Sequence, residues 1–112
     1  MPCLLIRTNV PVADKPALLR DCSAKVAAML GKPESYVMVQ LADAQAMCFA
    51  ASDAPLAFLE LKSLGLRSDQ TEALSAELCG MMETALGIDP ARVYIEFAAP
   101  ERVMFGWNGG TF

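Results

Sequence analysis

The sequence predicts an α/β (α+β) domain in which a strand–helix–strand unit occurs twice. The product is a four-stranded mixed sheet with two helices on one face. Three observations lead there. "GKPESYVMVQL" from Gly31 and "GIDPARVYIEF" from Gly87 share one layout: glycine, a short turn containing proline, then an alternating run. A helical spacing of apolar residues precedes each glycine, and a strand-like run precedes each helical stretch. Pairing Leu18 with Leu74, Leu30 with Leu86 and Gly31 with Gly87 needs one constant offset, as an internal duplication would leave. The chain therefore reads as a single domain over 1–112, with pseudo-repeats at about 2–43 and 57–98.

The elements follow in order. The chain opens "MPCLLIRTNV", and Cys3–Arg7 is the first strand. Asp14 is placed to cap a helix whose opening turn tolerates Pro16, because the missing N–H has no partner there in any case. Leu19, Cys22, Val26, Met29 and Leu30 recur at three- and four-residue spacing, and Gly31 suits the left-handed residue that ends a helix. Val37, Val39 and Leu41 alternate as a half-buried strand does. "AQAMCFAASDAP" reads as a short extra strand and a loop, and Ala57–Lys62 as the next strand. Ser68 or Asp69 caps the second helix, with Asp69 and Glu72 at capping-box spacing and Leu74, Leu78, Met81 and Ala85 on one stripe. Val93, Ile95 and Phe97 then face the core, which leaves Tyr94 and Glu96 on the opposite sheet face. The tail "VMFGWNGGTF" reads as another short aromatic strand, turned by Asn108 and Gly109. It and the extra strand are free to pair with sheet edges of neighbouring chains.

Composition narrows the function. Hydrophobic residues make up 54% of 112 residues and charged residues 20%, high for a chain with so little interior. Two helices cover only one face of the sheet, so the other face calls for subunit packing. A net charge of −4 without a basic cluster argues against nucleic acid. No apolar run approaches membrane-spanning length, and the start lacks a signal peptide's basic and hydrophobic regions, so the expected compartment is the cytoplasm. The four cysteines, Cys3, Cys22, Cys48 and Cys79, form no CxxC pair and histidine is absent. That pattern disfavours a metal site, a redox pair and Ser-His or Cys-His catalysis, and reads as buried or half-buried free thiols. Acid–base work then falls to carboxylates, lysine, tyrosine or a terminal amine. Pro2 bears on this directly. Methionine aminopeptidase removes Met1 before a small residue, which would leave Pro2 as a secondary amine; the plainer alternative is an inert terminus.

The initial "MP" with its strand and "TNVP", then "GKPESYV", "SLG", "RVYIEF" and "GWNGGTF", lie in an order and spacing that resemble the macrophage migration inhibitory factor (MIF) family of the tautomerase superfamily. The resemblance spans nearly the whole chain. It implies a homotrimer with active sites at subunit interfaces and a cofactor-independent keto–enol tautomerase acting on phenylpyruvate-like 2-keto acids. Pro2 would be the general base and Lys32 the residue that holds the substrate carboxylate. Leu64 of "SLG" would contribute its backbone N–H, and Tyr94 would reach the site from a neighbouring subunit. Tyr36, Phe105 and Trp107 would form the apolar rim.

Two departures from the family pattern stand out. Leu56 and Leu59 in "PLAFLE" replace the cysteines of a thiol–oxidoreductase motif, so that activity is not expected. Glu96 stands where the family has asparagine, either near the pocket or paired with Lys62 or Arg7. The alternatives to a tautomerase are a cytokine-type binding protein, for which alone a receptor partner is needed, and hydration or dehalogenation chemistry on the same proline.

Overall fold

A computed structural model describes the chain from Met1 to Phe112. Six elements build its main layer pair: β1 (Pro2–Thr8), α1 (Lys15–Leu30), β2 (Met38–Ala42), β3 (Ala57–Ser63), α2 (Thr71–Leu86) and β4 (Val93–Ala98). The two halves thus carry the same three elements in the same order. The sheet runs β2-β1-β3-β4, with parallel β1/β2 and β3/β4 pairs flanking an antiparallel β1/β3 pair. A parallel pair cannot be closed by a hairpin, so each needs its helix as a crossover.

Both helices pack on one face. Leu4 and Ile6 of β1, Leu59 and Leu61 of β3, Cys22 and Val26 of α1, and Leu78 and Met82 of α2 are at most 1% exposed and belong to one core cluster. Each helix stripe is shifted slightly from the sequence reading. Leu18 rather than Leu19 takes the buried place in α1, while Ala85 of α2 is exposed and Met82 is buried. A period of 3.6 residues drifts across a strict three–four spacing, so the residue covering the sheet changes along the helix.

The caps explain where the helices stop and start. The Asp14 side chain accepts from the Ala17 N–H at 3.0 Å, with proline in the first turn. Gly31 and Gly87 end the two helices at φ +61° and +67°, the left-handed conformation that β-carbons disfavour. The start of α2 differs from the reading. A 3₁₀ turn, Ser68–Gln70, precedes Thr71, and the Arg67 N–H donates to the Gln70 side chain at 2.9 Å. Asp69 instead accepts from the Arg67 guanidinium at 3.1 Å.

The expected extra strand between the repeats is a loop, with only an isolated bridge between Phe49 and Ser52. Ala44, Ala50 and Ala51 have φ of +52° to +59°, which breaks any extended run. Arg92 supplies the order: its guanidinium donates to the carbonyls of Phe49, Ser52, Ala54 and Pro55 at 3.0–3.2 Å. The tail likewise is not a single strand. A 3₁₀ turn at Arg102–Met104 leads into a hairpin of β5 (Gly106–Trp107) and β6 (Gly110–Thr111), turned at Asn108 and Gly109 with φ +52° and +78°. Within the protomer β5 and β6 form a two-stranded sheet separate from the main one.

The outer sheet face is mixed. Met38 and Tyr94 are 66% and 62% exposed, among Phe58, Glu60, Lys62 and Glu96. Arg7 and Lys62 pair with Glu60, at 3.0 and 4.0 Å, and not with Glu96, which stands beside Glu60 in register. Glu60 lies on central β3 within reach of both cations, whereas Glu96 lies on the edge strand and is exposed. Of the thiols, Cys48 is exposed, contrary to the reading, because the loop that carries it lies outside the core. No helix is long and apolar enough to cross a membrane.

The packing ranks two substitutions in α2 and its cap. Leu78→Ala empties a fully buried position and should cost about 2–5 kcal/mol. At Gly87 nothing lies within 4 Å of an added Cβ, so Gly87→Ala should cost only the backbone strain, about 1–2 kcal/mol. Chemical denaturation of both variants checks the order.

Candidate functional site

Strand β1 delivers Pro2 to the end of the core. Alternation along β1 puts Pro2, Leu4, Ile6 and Thr8 on the helix side, and all four are buried. Beyond Pro2 the core opens into a cavity of about 250 Å³ lined by Met1, Pro2, Cys3, Tyr36, Met38, Phe105, Trp107 and Phe112 among others. The aromatic wall is tied together by edge contacts of Tyr36 with Trp107 (5.5 Å) and Phe112 (6.0 Å), and by stacking of Trp107 on Phe112 at 5.4 Å. The two-residue hairpin positions Trp107, and the Phe112 N–H donates back to the Phe105 carbonyl at 3.1 Å.

A second, smaller depression of about 160 Å³ adjoins this end of the sheet and is lined by Leu30, Lys32, Ser63, Leu64 and neighbouring residues. Lys32 follows the α1 cap, and its Nζ donates to the Leu64 carbonyl at 3.4 Å. Leu64 sits in a turn that the Leu66 N–H closes onto the Ser63 carbonyl at 3.3 Å, with Gly65 at φ +75°. The Ser63 side chain is 1% exposed and its Oγ has no hydrogen-bond partner. Left unpaired, such a hydroxyl costs about 1–3 kcal/mol.

The electrostatics converge on the chain start. Burial pushes the Met1 amine below the ordinary value for a terminal amine, and the charges of Lys32 and Arg102 push it in the same direction. Arg102 is a cation that no sequence motif flagged; its Nε donates to the Phe112 main-chain oxygen at 3.2 Å. Burial also raises the neighbouring Cys3 thiol, helped by Glu60 and opposed by Lys62. In the core, burial pushes Cys22 up to about 11, which leaves it a protonated packing group.

Of the residues singled out from sequence, Pro2, Tyr36, Phe105 and Trp107 meet in one cavity, and Lys32 and Leu64 adjoin it. Tyr94 and Glu96 do not join them within the protomer. Pro2 pairs with Ser63 at one end of β3, whereas Tyr94 pairs with Phe58 and Glu96 with Glu60. Five residues along the strand separate Phe58 from Ser63, roughly 17 Å by strand rise. Tyr94 packs instead on Phe49, ring centroids 4.8 Å apart, at the Arg92-clamped loop. Ser63, Arg102, Met38 and Phe112 were not singled out. Phe112 lies in the quoted tail motif, but nothing in sequence separates it from plain packing. Two larger depressions, about 550 Å³ beside the start of α1 and 360 Å³ between the helices, lack a buried terminal group of this kind.

The family model described as macrophage migration inhibitory factor (MIF) matches residues 1–112. The chain is 40% identical over 114 residues to a macrophage migration inhibitory factor homolog of Brugia malayi, covering 100% of this chain and 99% of that protein. It is 36% identical to the mouse (Mus musculus) macrophage migration inhibitory factor at the same coverage. Among solved structures, a macrophage migration inhibitory factor homologue from Prochlorococcus marinus superposes with a TM-score of 0.93 at 41% identity, covering 98% of each chain.

The charge environment yields a direct test. Arg102→Gln removes one of the cations that disfavour the charged amine, so the N-terminal amine should titrate at higher pH than in the unsubstituted protein. An NMR titration of the terminal residue reads this. An unchanged midpoint would show that the Arg102 charge does not reach the amine.

Proposed function

The chain belongs to the macrophage migration inhibitory factor family, and from that premise we propose that it is a cofactor-independent keto–enol tautomerase for phenylpyruvate-like 2-keto acids, working as a homotrimer. The observation that carries this reading is the position of Pro2. It is buried at the floor of an aromatic cavity, and Lys32 and Arg102 both disfavour a charged amine at the chain start. With Met1 removed, Pro2 has a secondary amine whose lone pair takes a proton from the substrate. A general base works best when its pKa lies near the working pH, and burial beside cations moves an amine that way. The proton passes between the substrate's carbon and oxygen, so no redox partner or metal is called for.

Lys32 has the charge and the location to hold the substrate carboxylate, and the Leu64 backbone lies beside it. Tyr36, Phe105 and Trp107 suit an aromatic substrate ring. Tyr94 and Glu96, remote from Pro2 in their own protomer, enter a site only as residues of a neighbouring subunit. The exposed, partly apolar sheet face that carries them supports a trimer. Leu56 and Leu59 are buried hydrocarbon, 4% and 0% exposed, so no thiol chemistry is proposed at their positions. The names of the relatives describe an action on macrophages; a binding role for this chain would be favoured by an intact oligomer without turnover.

Ultraviolet assay of phenylpyruvate ketonisation tests the reading, on protein whose N-terminus is verified by mass spectrometry. Pro2→Gly should lower kcat/KM by at least about tenfold, while light scattering still reports a trimer. Activity within twofold of the unsubstituted enzyme, or a monomer of 12.0 kDa in the parent protein, would overturn it.

Glu96 is the proposed determinant of substrate preference. Its carboxylate, brought near a neighbour's Pro2, stabilises the protonated amine and repels acidic substrates. Glu96→Asn should therefore move the acid limb of the kcat/KM profile to lower pH and improve use of phenylpyruvate. Superimposable profiles would reduce Glu96 to a surface role.

A further inference from the structure

We propose that the Ser63 hydroxyl is the positioning residue for the Pro2 nitrogen, accepting a hydrogen bond from it and so aiming its lone pair into the cavity; this rests on the reading of Pro2 as the base. Three observations meet at this point. Pro2 and Ser63 are direct cross-strand partners at the last rung of the antiparallel β1/β3 pair. Both side chains are buried on the helix side of the sheet, and partners in register share a face at close range. The Ser63 Oγ is the buried side-chain polar atom without a hydrogen-bond partner, in a protein that otherwise satisfies such groups.

The orphaned hydroxyl has a chemical explanation at this rung. While Met1 is attached, the Pro2 nitrogen is a tertiary amide and has no hydrogen to donate. Removal of Met1 turns it into a secondary amine with one N–H and one lone pair. An acceptor on the Ser63 side takes that N–H and leaves the lone pair for the cavity. After proton abstraction the ammonium has two N–H groups. One stays on Ser63 while the other holds the proton that returns to substrate, so a single acceptor serves both states. Because the charged donor makes the stronger bond, the hydroxyl also raises the affinity of Pro2 for its proton. Lys32 and Arg102, whose charges disfavour the charged form of the adjoining Met1 amine, act in the opposite direction. Tyr36 and Cys3 are the titratable side chains that line the cavity.

The test follows the Pro2 nitrogen itself. In Met1-free protein with isotopically labelled proline, Ser63→Ala should lower the Pro2 titration midpoint by about half to one pH unit. The acid limb of kcat/KM should move with it, and kcat should fall about tenfold as the lone pair loses its orientation. KM should change little, because Ser63 touches no substrate in this account. Ser63→Thr keeps the hydroxyl and should restore midpoint and kcat together. An unchanged midpoint in Ser63→Ala, or no restoration by threonine, overturns the proposal. Should the alanine variant not fold, Ser63→Cys, nearly isosteric but a weak acceptor, must lower the midpoint for the proposal to stand. An active Pro2→Gly enzyme would instead overturn the reading of Pro2 as the base, so the two failures are distinguishable.

Discussion

The antiparallel pairing of β1 with β3 is the constraint on which the rest depends. Its helix-side rungs are Pro2 with Ser63, Leu4 with Leu61, Ile6 with Leu59 and Thr8 with Ala57. Every one of these residues is at most 2% exposed. A slip of one residue would turn the hydrophobic set outward and bring Cys3, Arg7, Lys62 and Glu60 into the core, so the register is strongly specified. The last rung at one end places Pro2 against the turn that carries Leu64. At the other end the Thr8 hydroxyl donates to the Leu56 carbonyl at 2.8 Å and accepts the Val10 N–H at 3.1 Å, which leaves no polar atom of that rung stranded.

The same pairing separates the molecule into two chemically different ends. At the Pro2 end, apolar and aromatic groups meet two cations, Lys32 and Arg102, and no carboxylate side chain lines the cavity. That combination favours a neutral amine. At the Tyr94 end, Arg92 gathers four carbonyls of the preceding loop, lies 5.3 Å from the Phe49 ring, and so fixes the aromatic against which Tyr94 packs. Asp43 performs a related service for the loop after β1. Its carboxyl accepts the Val12 N–H at 2.9 Å and is held below the usual carboxylate range by that bond, with Lys15 adding to the effect.

The departures from the family pattern have different weights. Leucine at positions 56 and 59 fits a core that would otherwise have to bury thiols, and the hydrocarbon contributes directly to packing. Glu96 is harder to accommodate. It lies beside Glu60 on the next strand, and Arg7 and Lys62 pair with Glu60 and not with it. An unpaired carboxylate beside another is unfavourable wherever this sheet face becomes buried, unless a neighbouring group compensates it.

By itself the sequence determined the repeated strand–helix–strand order, the cap at Asp14, the left-handed glycines at 31 and 87, and the alternation that sends Tyr94 and Glu96 outward. Each of these is a local property, set by φ preferences or by the period of one element. Its family motifs also marked Pro2, Lys32 and the aromatic tail. The tertiary structure decided everything that joins distant segments. Residues 44–55, read in part as a strand, became a loop held by Arg92, almost forty positions beyond its end. The tail's hairpin is turned locally at Asn108 and Gly109, but its seating against Tyr36 came with the tertiary fold. Ser63 and Arg102 gained meaning only when β3 and the tail were folded against the chain start. A serine at a strand end has no sequence signature of burial, and an orphaned hydroxyl exists only once a cross-strand partner has closed water out.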